Sequence, residues 1–460
     1  MLNYILRRLL LMIPTLLGIS LVVFITMAAA PGGISSQALV DDFGLNPQEK
    51  KALQDYYNRR YGLDQPAPMQ YLRWLNNISP IGFEMQDNGD YGRFSFTKGS
   101  DLGDSFRYGR KVVDLLQERL PITLLLNVLT IPIIYLISIM VGVHAARDRG
   151  GQFDVTSSVV MLALWSIPTM LTGVLLIGFF SNDQYWHWFP TSGLSDRQAL
   201  DMPFLPHWSS LNDVLKFFGA ALLGLWVATL AGRWPSKLIR TILALLAGVA
   251  LTVWMVRALP VDPAIWVYPT VGLFILLPLV ALARSDFRGL RIGSFGVLGV
   301  CVGAALGALW TDGGFVRGFL LDRVWHLILP VVCLSYGGFA FLARLTRSAM
   351  LENLQADFAR TARAKGVAEK DVLWKHVFRN SLLPLITVSA SLLPGLLGGS
   401  IIVESIFSID GMGKLAVEAV TGRDRELVLS IALISGFLTL VGYLLADLMY
   451  AMADPRVSYE

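Results

Sequence analysis

The chain has 460 residues, 54% of them hydrophobic and only 16% charged, with a formal net charge of +4 and a mean hydropathy of +0.56. Soluble domains carry about 25% charged residues, so this chain has too little polar surface to coat a globule and reads as a membrane protein. Long continuous apolar runs select helices over a barrel, whose strands need only about ten alternating residues, and the modest basic excess fits cytoplasmic loops rather than nucleic-acid binding.

Arg7 and Arg8 precede an apolar run from Leu9 to Met27, then Ala28-Ala29-Ala30. The small residues resemble a signal-peptide cleavage site, but the length of the run favours a retained first span. Stretches long enough to cross a bilayer predict spans at 9–30, 119–143, 157–181, 213–231, 239–259, 265–283, 293–311, 324–343, 383–404 and 427–450. The expected class is an all-α polytopic membrane protein. Arg7 and Arg8 put the N-terminus inside. Loops with Arg147 and Arg149, with Arg233, Lys237 and Arg240, with Arg284, Arg288 and Arg291, the loop 344–382 and the tail with Arg456 then fall inside too. Residues 31–118, 182–212 and 260–264 fall outside. Arg317 and Arg323 sit outside against the rule, and Pro269 and Pro278 make 265–283 a candidate broken or re-entrant helix. The scheme requires an even number of spans within 213–311.

In the outer segment 31–118, Asn46 followed by Pro47 predicts a helix start. Leu72, Trp74 and Leu75 form an apolar cluster, so a small folded cap on the outer ends of the spans is expected. Its alternative is a peripheral ordered loop. Cys301 and Cys333 lie in apolar runs and read as core residues, with no disulfide framework.

The chemistry of an ATPase is missing. The nearest lookalike to a phosphate-binding loop is Gly413-Lys414, with Ser408 where a glycine belongs and Leu415 after the lysine. The five histidines are scattered, with no metal-hydrolase pair, and there is no nucleophile elbow. Asp447 is the notable acid within a span, expected to pair with a neighbouring arginine or to cap a loop.

The loop 344–382 is strongly basic. Ala359, Ala362 and Gly366 make a stripe of small residues that fits a partner's groove. Leu373, Trp374, Val377 and Phe378 form the apolar face of a second helix, with Asp371, Lys375 and Arg379 on another, and Pro384 marks the start of the next span. The pattern reads as two short amphipathic helices hinged at Gly366, either docking on a partner or lying on lipid head groups.

Here the sequence resembles a known family. Thr361-Ala-Arg-Ala-Lys-Gly366, with His376, Arg379-Asn380 and Leu383-Pro384 downstream, looks like the cytoplasmic signature of binding-protein-dependent ABC importer permeases. It is most like the dipeptide and oligopeptide branch and, within it, the microcin C (Yej-type) inner-membrane permeases. Tyr61-Gly62-Leu63-Asp64, Asp101-Leu102-Gly103-Asp104-Ser105, Ile167-Pro168, Phe189-Pro190, Ser192-Gly193, Glu404 with Phe407, Gly411-Met412-Gly413, Arg423-Asp424 and Asp454-Pro455-Arg456 match in order. The resemblance covers 1–193 and 324–460. It implies a type I permease fold of six family spans, and an ATPase-coupling site of Ala359, Arg360, Thr361, Ala362, Ala364, Lys365, Gly366, His376, Arg379, Asn380 and Pro384. It assigns Glu404, Phe407, Gly411, Gly413 and Asp424 to an extracytoplasmic motif.

The same resemblance implies a second homologous permease subunit, ATP-binding cassette subunits that carry the ATP and magnesium, and an extracytoplasmic solute-binding protein. This chain itself would bind no cofactor and would sit as a multi-pass protein in the inner membrane. Peptides or peptide-like solutes are the expected cargo; nickel or an oligosaccharide, or a non-ABC interaction protein or channel, are the alternatives. Arg360 stands where the wider family often has glutamate, Asp410 where a proline often stands, and Arg425-Glu426 where an aromatic-proline pair is usual. The expected parts are therefore span 1–30, outer segment 31–118, core 119–193, an inserted block 194–323 of about four spans, and core 324–460. Within the block, Gly299, Gly303 and Gly307 suit close helix packing.

Overall fold

The computed structural model describes residues 2–30, 46–85, 91–208, 210–257, 265, 267–285, 288–311 and 315–453. The chain divides into two units, one of residues 1–127, 386–405 and 410–460, the other of 128–385 and 406–409. The Asp454-Pro455-Arg456 motif and the loop 260–264 lie outside the described residues.

In the first unit, α1 (Leu2–Ala29) lies along α15 (Arg425–Ala453). Gly436 permits the approach, since a Cβ there would sit 3.1 Å from Ile19. Asp447 accepts the Tyr4 hydroxyl at 2.8 Å and pairs with Arg8 at 2.8 Å, so of its two expected roles it takes the arginine pair. The described residues of 31–118 are folded. α2 (Pro47–Tyr61) starts at Asn46, whose N–H donates to Glu49 at 3.2 Å in half of a capping box. α3 (Ala67–Ile78) buries Trp74 against Phe24 and Leu429, while Tyr71 and Ser20 share a hydroxyl hydrogen bond of 2.9 Å. Leu75 joins that cluster partly buried, but Leu72 points outward. A hairpin, β1 (Gly82–Met85) and β2 (Tyr91–Ser95), follows. The unit's core joins the start of α4 (Val112–Arg147), α14 (Met412–Thr421) and α15 through Leu115, Leu415 and Leu427.

The second unit holds the rest of α4, then α5 (Gln152–Ser166) and α6 (Thr169–Phe180), which meet at 96°. The break thus falls within 157–181, which reads from sequence as one span, and not in the described part of 265–283. Pro168 is the cause: it has no N–H to continue the ladder, and it holds Ile167 extended at φ −83°, ψ 124°. Pro278 sits inside α9 (Val267–Arg284) without ending it. The freed Ile167 carbonyl accepts the Tyr336 hydroxyl of α11 (Gly318–Gln355) at 2.6 Å.

Between α6 and α11 come α7 (Leu211–Arg233), α8 (Lys237–Arg257), α9 and α10 (Arg288–Trp310). α7 and α10 pack at backbone contact, as the glycine repeat predicted. Cβ atoms at Gly299 and Gly303 would lie 2.2 Å from Gly224 O and 2.3 Å from Ala220 O. Leu222, Leu223 and Trp226 face outward, where lipid replaces water. Cys333 is buried, but Cys301 is exposed on α10, so only one cysteine is a core residue. At one end of the block β3 (His207–Trp208) pairs with β4 (Phe315–Val316), and Arg317 bridges Asp196 at 2.7 Å and Asp322 at 3.2 Å. The two outer arginines that opposed the charge rule are thereby accounted for, Arg317 by these acids and Arg323 by the Phe319 ring at 5.3 Å. At the other end Arg291 donates to Gly232 O at 2.6 Å and Ser285 O at 2.9 Å, and His144 and Ser285 share a hydrogen bond of 2.7 Å.

Among the described residues, α1, α4, α7, α9, α11 and α15 are long and apolar enough to cross a membrane, and the bent α5–α6 pair, as a broken span or a re-entrant loop, brings the number to at most seven. α8, α10 and α13 (Phe378–Ile406) occupy the other three predicted stretches.

Candidate functional site

The basic loop folds into α12 (Asp357–Ala364), a turn at Glu369–Asp371, and a π-helical segment, Val372–Val377, that runs without a break into α13. α12 ends in a Schellman motif: Val367 N–H donates to Ala362 O at 3.2 Å and Gly366 N–H to Arg363 O at 2.9 Å. Gly366 has φ +75°, which glycine adopts without a Cβ penalty. Arg363 grips Glu369 with two hydrogen bonds of 2.9 and 3.1 Å across this turn and holds its carboxyl below the usual carboxylate range.

The stripe of small residues is spent inside the chain. Ala359 is 0% exposed and Ala362 7%, packed with Val143, Ala146, Met350, Val372, Leu373 and Val377. They are not the partner-facing surface that their spacing suggested, because α12 turns its apolar side onto α4 and α11. Arg360, Thr361, Ala364, Lys365, Gly366, His376, Arg379 and Asn380 are exposed instead. The second amphipathic helix is likewise not a separate element: its apolar residues belong to the π segment and to the first turn of α13. In the π segment, whose backbone bonds run from i to i+5, Val372 and Val377 are both buried while His376 is exposed. Pro384 lies inside α13, six residues after its start at Phe378, rather than at its beginning.

Two features that sequence reading passed over brace this element. Arg347 of α11 makes a two-pronged ion pair with Asp154 in the first turn of α5. Asn353 donates to Ala349 O at 2.9 Å and Ser381 Oγ at 3.1 Å, tying α11 to α13. Arg347 was legible only as one of many inside charges. An acid in a helix's first turn is the signal that marks its partner.

In the first unit, Glu404 is fully buried at the N-terminus of α14. It accepts the Thr123 hydroxyl at 2.7 Å and Lys414 N–H at 2.9 Å, while Met412 N–H donates to Thr123 Oγ1 at 2.8 Å. Gly411 and Gly413 permit this, since a Cβ at either would fall 2.5 or 2.9 Å from the Glu404 carboxyl. Asp424 sits apart, accepting Ser105 OH at 2.5 Å and Arg107 N–H at 3.2 Å. Burial pushes its carboxyl up, opposed by these donors. Next to it, the departure Arg425-Glu426 is a buried ion pair, and Arg425 also donates to Gln70 at 3.1 Å. Asp410, the other departure, pairs with Lys414 at 2.8 Å and Arg119 at 3.0 Å. Phe407, in the second unit, is buried, and its carbonyl accepts Gly193 N–H at 2.9 Å.

Residues 220–459 match the family model described as binding-protein-dependent transport system inner membrane component, and residues 1–127 match the N-terminal model of such membrane components. The chain belongs to this permease family. The permease is 29% identical over 99% of both chains to the oligopeptide transport system permease protein AppB of Bacillus subtilis. It is 26% identical, again over 99% of both, to the inner membrane ABC transporter permease protein YejB of Escherichia coli O157:H7. To the di/tripeptide transport system permease protein DppB of Pseudomonas aeruginosa it is 27% identical over the whole of both chains. It is accordingly a multi-pass inner-membrane ABC transporter permease, and a binding-protein-dependent system implies ATPase and solute-binding partners.

Proposed function

We propose that this chain is the permease subunit of an ATP-driven importer of peptides or peptide-like solutes. It works by alternating access beside a second, homologous permease subunit. ATP and magnesium are bound and ATP is hydrolysed on separate cassette subunits, so this chain is not itself an enzyme. An extracytoplasmic protein delivers the solute. Relatives over the full length are named as oligopeptide and di/tripeptide permeases, which supports the cargo class.

The observation that carries the coupling role is the division of α12 into two faces. Its inner face, Ala359 and Ala362, is welded to α4, α11 and the π segment; its outer face, Arg360, Thr361 and Ala364, is open. A push on the outer face is transmitted to the spans because the inner face is tightly packed. Replacing Ala364 with tryptophan should leave the melting temperature of the purified chain unchanged and abolish ATP-dependent uptake of a labelled peptide by the reconstituted importer. Ala362→Trp should lower the melting temperature, since it forces a ring into a filled core. Normal uptake by Ala364→Trp would sink the coupling assignment.

A further inference from the structure

On the side where the basic loops gather, a cavity of about 1160 Å³ separates the coupling element from the inserted block. Six basic side chains line it: Arg147 at the end of α4, Arg149 just after it, Arg233 at the end of α7, Arg288 at the start of α10, Arg363 and Lys370. The single acid in the lining, Glu369, is already held by Arg363. Among the described residues, no ion pair within 4 Å engages Arg147, Arg149, Arg233, Arg288 or Lys370, although Arg147 acts on Glu369 and Arg149 on Asp154 from further off. Clustering like charges at this density costs free energy that a bound anion offsets.

Apart from Gln355 the remaining wall is apolar, formed chiefly by Ile292, Leu351, Leu354, Leu373 and Trp374. Gly289 and Gly293 keep the start of α10 open; a Cβ at Gly293 would meet nothing within 4 Å. A soluble anion needs only the charged half of such a lining. A phospholipid uses both halves, and the cavity lies at the ends of α4, α7 and α11, three helices long and apolar enough to span a membrane, beside the start of α10. Basic pockets between span ends on the cytoplasmic side are suited to anionic head groups, and tryptophan favours that interface.

We infer that this cavity holds the head group of an anionic phospholipid from the cytoplasmic leaflet, its phosphate among the arginines and its first acyl carbons on the apolar wall. The lipid then joins the inserted block to the coupling element, because Arg233 and Arg288 come from the block and Arg363 and Lys370 from the basic loop. The inference rests on the inside placement of the basic loops and not on the solute.

The test uses the full chain purified into nanodiscs of phosphatidylcholine with a minor fraction of cardiolipin, with retained lipid read by native mass spectrometry. This readout involves no transport, so it fails or succeeds independently of the peptide reading. Wild type should retain cardiolipin over phosphatidylcholine. An attraction of about 1 kcal/mol per basic residue makes Arg233→Gln with Arg288→Gln weaken retention about thirtyfold. Arg233→Lys with Arg288→Lys, which keeps the charge, should retain it, and this separates lost binding from misfolding. Equal retention of both lipids by wild type, or unchanged retention by the glutamine pair, overturns the inference. So does displacement of the lipid by millimolar pyrophosphate at constant ionic strength, which would assign the cavity to a soluble phosphate.

Discussion

A glycine's importance here depends on what stands opposite it. At Gly413 a Cβ would lie 2.7 Å from the backbone of Ile401, so α14 must move away from α13 to accept it. Gly413→Ala should cost on the order of 1–3 kcal/mol, read as a lower melting temperature of the purified chain. Gly178→Ala in α6, where a Cβ meets nothing, should be neutral or stabilising by up to about 1 kcal/mol. Equal melting of the two variants would refute the close-approach argument. Gly366 is a different case, open in space but with φ +75°. Alanine there pays a left-handed penalty of about 1–2 kcal/mol, whereas asparagine is better tolerated. Gly366→Ala should therefore impair uptake more than Gly366→Asn; the reverse order would mean that the turn's conformation is not what coupling needs. The Arg363–Glu369 bridge over this turn has a definite pH signature. Glu369 is held below its ordinary value near 4.3, so the bridge contributes fully above that pH and is lost as pH falls through the depressed value. Both side chains are partly exposed, so the contribution is below about 1 kcal/mol and neutral pH leaves it intact.

Helices were the legible part of the fold, because a bilayer demands length and apolarity that the sequence displays directly. The four helices α7 to α10, the glycine seam between α7 and α10 and the Asn46 helix start were visible for similar reasons. The bend at Pro168 was not, since proline in an apolar run either kinks or passes, as Pro278 does, and tertiary packing decides. Nor was the direction of α12. Spacing places Ala359 and Ala362 on one face but cannot say whether that face meets the chain itself or a partner. Glu404 and the glycines were legible as a motif, yet Thr123, which anchors them, lies 281 residues away and has no spacing to betray it. The block's attachment was also hidden, though it makes a sharp prediction. Its two ends meet in the β3–β4 ladder, and Phe319 and Leu320 N–H donate to Pro203 and Phe204 O at 2.9 Å each. Replacing residues 209–314 with an Asn-Gly turn, which suits a two-residue hairpin, should give a chain that inserts and purifies monodisperse. It should melt lower, having lost the His144–Ser285 hydrogen bond. An aggregated product would show that the block is part of the core rather than a module.

Across the whole molecule, orientation follows from parity. Loops expected inside lie together in the second unit: the cavity wall joins 146–149, 233, 288–293 and 351–374. Loops expected outside also meet there, through β3 with β4 and Asp196 with Arg317. Excision of 209–314 removes α7 to α10, an even number of helices, so the coupling loop should stay inside; removal of α10 alone should turn it outward or yield a degraded chain. Thr361, exposed, and Ser79, partly exposed, report the two sides. With Cys301 and Cys333 replaced by alanine, an impermeant maleimide should label Thr361→Cys only in inside-out vesicles and Ser79→Cys only in right-side-out cells. The excised chain should label identically. Labelling of Thr361→Cys from outside in the intact chain would break the parity, and with it the placement of the coupling face on the side where ATP is found.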